Sequence, residues 1–379
     1  MSEAELRIES GYVVVLRMFD IAYEIDLAQA ETLWAAFAAG RTARSRLQGT
    51  LPKAMAFGVP PLSVQLDPVV LDLDGTPTAA LLLARLHDFG VVCITLRVPV
   101  SNLPWGDYVR LVNAVDRAIG PRSDLAPEER PWDRVLARLR TVIGPALRRP
   151  IENAPQEDYL IGVVHAFDAR PTATELLARA DLVPLLSGEQ RPLSDGARAD
   201  LLRQRFSYYT DDLVVLTWDR AFIYEPRGDS DVADVLEIAN AQLLEMRYYD
   251  ELLDDELPRM YDLVENARRG VGLFSARRYA TLARRLYGLV AEVTELTEKA
   301  DNALQVTEDV YLARIYAAAL DLFRVRTVGA AVDRKLSIIR DTYTALYDEA
   351  SGGRSELLEI AILVLILVEV VLAVWRHAG

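Results

Sequence analysis

Residues 89–119 read FGVVCITLRVPVSNLPWGDYVRLVNAVDRAI, and this stretch decides the fold class. Its first twelve residues are almost unbroken apolar and rich in β-branched side chains, the mark of a strand covered on both faces. From Trp105 the pattern changes to that of a helix, which runs to Ile119. A buried strand running directly into an amphipathic helix requires a sheet with helices packed against it.

The same alternation extends in both directions. YVVVLRMFDIAYEIDL (12–27) predicts one long strand or a hairpin, and ETLWAAFAAG (31–40) a helix stopped by glycine. AMAFGVPPLSVQLDPVVLDLDG (54–75) is strand-like but broken by prolines, so it predicts two edge strands. Downstream, Trp132 to Leu147 reads as helix, DYLIGVVHAFDA (158–169) as a second buried strand, and PTATELLARADLVPLL as a short helix. DLVVLTWDRAFIYEP (212–226) reads as a hairpin turning at Trp218-Asp219-Arg220. The expected class is α+β: a head domain over 1–227 with a largely antiparallel, sandwich-like sheet.

Beyond residue 227 the period is helical throughout. Asp229, Ser230 and Asp231 form a capping signal before Val232. Val235, Ala239, Gln242, Met246, Tyr249 and Leu253 then mark a seam, with Asp250, Glu251, Asp254, Asp255, Glu256 and Asp262 on the outer face. Pro258 is expected to kink this helix without ending it. After a turn at Gly270, Leu282, Leu286, Leu289, Val293 and Leu296 keep the alternation of a coiled-coil seam. Leu312, Ile315 and Ala319 open a third helix, and Val332, Leu336 and Ile339 a fourth. This is an all-α helical-hairpin domain over 228–353, ahead of a separate C-terminal helix over 354–379.

Composition limits function. The 379 residues carry a net charge of −14, which argues against general attraction to nucleic acid or anionic lipid. A single cysteine, Cys93, leaves no disulfide and no cysteine-rich metal site. His87, His165 and His377 are isolated, and no Walker, GxSxG or HExxH motif occurs, so no catalytic, cofactor-binding or metal residue is assigned. Two local features point elsewhere. VVLDLDGT (69–76) matches the first motif of haloacid-dehalogenase-like phosphatases, with Asp72 as nucleophile and Asp74 as acid/base around Mg²⁺. No lysine lies between Lys53 and Lys299 to complete that chemistry, so the favoured reading is a type I or II turn over Asp74-Gly75-Thr76-Pro77. The arginine cluster 268–285 (Arg268, Arg269, Arg277, Arg278, Arg284 and Arg285) would suit RNA or a ribosome, yet pairing with the acidic helix face accounts for it more simply.

The chain closes on LLEIAILVLILVEVVLAVW (357–375), whose nineteen residues span about 28 Å as a helix, close to the apolar thickness of a bilayer. Leu357, Ile366 and Trp375 read as a transmembrane tail anchor, or as an oligomer-core helix that never meets lipid. Glu359 and Glu369 interrupt the run and would then face sister helices of a homo-oligomer. The polar N-terminus lacks a signal peptide, which places the bulk of the chain on the cytoplasmic side of a membrane.

ANAQLLEMRYYDELLDDEL (239–257) is similar to the signature of the required-for-meiotic-nuclear-division family, a domain of unknown function, through Asn240, Gln242, Leu243, Leu244, Glu245, Arg247, Asp250 and Leu253. DRKLSIIRDTYTAL (333–346) and RSELLEIAILVLILVEV (354–370) resemble its C-terminal part. The similarity runs from about Phe89 to Trp375, and the first eighty residues match poorly. The resemblance implies a membrane-associated, oligomeric, non-enzymatic protein without catalytic residues to carry over, here a bacterial member. Mitochondrial relatives support organellar translation. The function expected is that of a tail-anchored scaffold, with RNA or ribosome binding and Asp72/Asp74 phosphatase chemistry as alternatives.

Overall fold

The computed structural model describes residues 5–38, 42–44, 59–123, 125–126, 129–228, 231–268, 309–342 and 344–345, with 281, 284, 287–288, 290–291 and 293–294 between them. The chain divides into two compact units, one of residues 1–245 and 299–326, the other of 246–298 and 327–379.

The first unit is built on a long strand pair. β1 (Arg7–Asp20) runs antiparallel to β7 (Val91–Pro104) from Arg7↔Pro104 to Asp20↔Val91 and, on its other edge, to β9 (Gln156–Phe167). Outside β7 lies β6 (Thr76–Leu86), then β4 (Leu62–Gln65) and β3 (Thr42–Arg44), while β5 (Val69–Leu73) also pairs with β6. Outside β9 come β12 (Arg220–Tyr224), β11 (Leu213–Leu216) and β10 (Gln204–Phe206), completing a 10-stranded sheet. All its pairings are antiparallel except β12 with β9. A small second sheet joins β2 (Ala22–Ile25) to β8 (Leu147–Pro150). The α+β class with an antiparallel-rich sheet is as expected; the parallel pair is new.

Both faces of the central strands are covered, which explains the continuous apolar run of β7. One face carries Val92, Ile94, Leu96 and Val98 of β7 with Val13 and Val15 of β1 in the main core. Against it pack α1 (Leu27–Ala38), α2 (Trp105–Ile119) and α3 (Pro131–Ile143) through Trp34, Tyr108, Val112 and Trp132. Burying each such side chain stabilises by about 1.5–3 kcal/mol. Shorter helices α4 (Ala173–Arg179), α5 (Val183–Ser187) and α6 (Asp195–Leu201) precede β10. Arg220 of β12 ties strand to helices: its guanidinium donates to Asn113 Oδ1 at 2.7 Å and the Leu185 carbonyl at 2.8 Å, and pairs with Asp116 at 2.7 Å.

The opposite face receives the start of α7 (Val232–Arg268) and α8 (Val310–Leu322). Asp309 caps α8 by accepting from Tyr311 N and Leu312 N. Phe323 just beyond α8 meets Tyr159 of β9 edge-on with ring centroids 5.3 Å apart. In the second unit α7 continues to Arg268, passing through Pro258 as expected, and α9 (325–342) buries Val332, Leu336 and Ile339.

Three expectations are corrected. The transmembrane tail anchor and the membrane localisation drawn from it do not stand: no helix among the described residues is long and apolar enough to cross a membrane. α7 has the length, but Asp250, Glu251, Asp254, Asp255 and Glu256 charge its middle. The run that carried the expectation, with Leu357, Glu359, Ile366, Glu369 and Trp375, lies outside the described residues. The turn after β5 is not type I or II: Asp74 and Gly75 have φ of 51° and 85°, the two positive values of the type I′ turn that suits the twist of a tight hairpin.

Candidate functional site

A buried polar cluster of the first unit lies between the sheet and the first turns of α7. Arg85 on β6 and Cys93 on β7 are cross-strand partners, and both point away from the main core. α7 brings Asp234 and Glu237, one turn apart, onto them. Arg85 Nη1 donates to Glu237 Oε2 at 2.8 Å and to Asp234 Oδ1 at 2.8 Å. The second oxygen of Glu237 lies 3.3 Å from His87 Nε2. Side chains of Arg85, His87 and Glu237 are 8%, 3% and 3% exposed.

Electrostatics favour the ionised forms of Glu237 and Arg85. Burial alone would raise the Glu237 carboxyl, but Arg85 foremost, with His87, outweighs it and keeps the group below its ordinary range. Burial opposes the Arg85 charge, and the two carboxylates more than restore it. Beside them, burial pushes the Cys93 thiol well up, so it is a thiol and not a nucleophilic thiolate. Arg85 Nε has no hydrogen-bond partner. With almost no solvent access, the cluster binds α7 to the sheet and offers no surface to a substrate.

The residues singled out along α7 follow further along the helix. Asn240 is buried and its Nδ2 donates to the Leu236 carbonyl at 2.9 Å. Gln242 accepts from Tyr316 OH of α8 at 2.7 Å, so the polar seam position has a specific partner. Glu245 is buried at 2% exposure, and Arg247 is half-buried. In the second unit Asp250 and Asp254 share Lys335 Nζ at 2.6 and 2.7 Å. A lysine of α9 therefore answers the acidic face at these two positions. Val293 of the expected coiled-coil seam is buried, while Leu282, Leu286, Leu289 and Leu296 lie outside the described residues. Of the arginine cluster only Arg284 has a described side chain, and it is exposed.

Asp72 and Asp74 occupy a different place. They line an open cleft of about 510 Å³ between the β5–β6 hairpin and the segment from α2 to α3, with Arg117, Glu129 and Arg134. Asp72 Oδ1 accepts from Gly75 N at 2.8 Å inside the hairpin, and Asp74 pairs with Arg117 at 2.7 Å. These are turn-closing and surface roles on a hairpin, not the end of a strand leading into a helix. On the loop before β11, Asp212 is buried and accepts from Ser207 Oγ, Tyr208 N and Tyr209 N, which ties down that loop. Among the described residues no group of three or more His, Cys, Asp or Glu side chains is placed to hold a metal.

Sequence reasoning missed Arg85, Glu237 and Arg220. Arg85 stands in an apolar strand, where a charge signals a buried partner, but nothing local identifies that partner.

Residues 10–231 match the family described as "Uncharacterized protein MJ0711, N-terminal domain", and the chain belongs to that family. The match ends one residue before α7. The uncharacterized protein MJ0711 of Methanocaldococcus jannaschii is 26% identical over 193 residues, covering 51% of this chain and 58% of that protein. No solved structure matches.

Proposed function

We propose that this member of the MJ0711 N-terminal-domain family is a non-enzymatic scaffold, in which the sheet-based unit carries a helical unit that self-associates. In this reading 282–296 form a coiled-coil seam, and the apolar run 357–375 is buried in the core of a homo-oligomer. The likeness of 239–257 to the required-for-meiotic-nuclear-division signature points the same way.

One observation carries the reading. The helices of the second unit bury Met246, Tyr249, Leu253 and Ile339, yet leave Tyr261, Tyr287 and Ile338 exposed at 55%, 63% and 42%. Contiguous apolar surface left open on a folded protein marks where it meets other protein, and these three side chains are the ones such a surface would use. The test is sedimentation velocity of the full-length protein with Tyr261 and Ile338 replaced by serine. The reading predicts a shift toward smaller species for the variant; an unchanged distribution removes it.

A further inference from the structure

At the end of β1 the chain leaves the large sheet and, after Ile21 alone, enters the small one at Ala22. Three segments meet at this corner. Ile21 N donates to the Gly90 carbonyl at 3.1 Å, Ile25 N to Asp88 at 2.9 Å, Ile151 N to Ile21 at 2.8 Å and Asp20 N to Pro155 at 3.2 Å. The approach is so close that Gly90 has φ +100°, and a Cβ there would lie 1.7 Å from the Ala22 carbonyl oxygen. Asp20 is packed into this corner. It is 2% exposed and accepts from the Ala22 N–H.

The surrounding segments carry other charged and titratable groups, among them Arg140 of α3, which donates to the Ile151 and Glu152 carbonyls. His87 and Asp88 lie on the turn before Gly90, with His87 on Glu237. Glu24 of β2 pairs with Arg148 of β8 at 3.0 Å. Glu152 stands on the segment leading to β9, and Glu157 on β9 opposite Met18. Among the described residues no arginine, lysine or histidine is hydrogen-bonded to Asp20 or ion-paired with it. An ionised carboxylate here is therefore a buried charge with no cation, held by one backbone donor, and such a charge is costly.

We propose that the β1–β2 corner is a proton-sensitive hinge, closed while Asp20 carries its proton and opened more often once that proton passes to water. The proposal is independent of the scaffold reading. Burial, offset only in part by the Ala22 N–H, pushes the Asp20 carboxyl up to about 7 from its ordinary value of 3.8. The sign follows from linkage. Between those values the closed corner binds more protons than the opened one, so closure is strongest at low pH and weakens as pH rises toward 7. Above that both states are ionised and the dependence flattens.

Amide hydrogen exchange on the full-length protein tests this at Ile21, Ile25 and Ile151, whose N–H groups close the corner. After correction for intrinsic exchange, their opening is expected to increase about tenfold from pH 5 to 6 and about fivefold from pH 6 to 7. In Asp20→Asn, which keeps the shape of the side chain and never ionises, opening should be independent of pH over the same range. Opening of the natural protein that does not change between pH 5 and 7 overturns the proposal. So does an undiminished slope in the variant.

Discussion

Glu237 on α7 and Arg85 on β6 meet at 2.8 Å with their side chains 3% and 8% exposed, across 152 residues of chain. The contact fixes which turn of α7 lies over the sheet, because only the turn bearing Asp234 and Glu237 can neutralise the arginine. A buried ion pair contributes little net stability over a well-packed apolar pair, but each partner becomes a liability when the other is removed.

Arg85→Met should therefore destabilise the protein by about 3–5 kcal/mol, since it strands Glu237 without its cation. The double variant Arg85→Met/Glu237→Leu should recover much of that loss. Denaturant unfolding of the natural protein, Arg85→Met, Glu237→Leu and the double variant, read as a double-mutant cycle, checks both statements.

Glu237 also sets part of the acid limb of stability. Its carboxyl is held below the ordinary value of 4.5, so its contribution is present above that pH and is lost as pH falls through the lower value of the folded state. Glu237→Gln should flatten the fall in melting temperature below pH 4.5, while lowering stability at neutral pH.

Gly90→Ala should be among the most damaging single changes in the sheet. It combines a positive φ with a methyl 1.7 Å from the Ala22 carbonyl, and the backbone on both sides must move. A loss of about 3 kcal/mol or more is expected from strain and overpacking together. Gly75→Ala shares the positive φ but meets nothing within 4 Å, so it should cost only about 1 kcal/mol.

Lys335→Met should cost no more than about 1 kcal/mol, although the lysine bridges Asp250 and Asp254. Asp254 is 64% exposed, and solvent screens a pair so placed. A rise in salt should remove most of the difference between the variant and the natural protein.

Much of the first unit was legible because its signals are local. α2 begins after Pro104, ends at Gly120 and shows its apolar stripe, so its limits were readable as Trp105 to Ile119. The turn of the β11–β12 hairpin was equally plain. Pairing across long separations was not. Nothing in 220–224 says that β12 runs parallel to β9. The Arg85–Glu237 contact has the same character: each residue looks anomalous in its own element, and only the fold supplies the reason. The seam along α7 was correctly placed because period reports burial directly, down to Met246, Tyr249 and Leu253. Hydropathy was the weakest guide. The run 357–375 reports that it avoids water, but apolar length alone does not distinguish lipid from protein as the other phase, and the membrane reading went beyond what those residues carry.

The scaffold proposal is tested most directly by the mass of the full-length protein in solution over a range of concentrations. The account predicts particles at a fixed multiple of the 42.3 kDa chain that persist on dilution. A single species of 42.3 kDa at every concentration would contradict it.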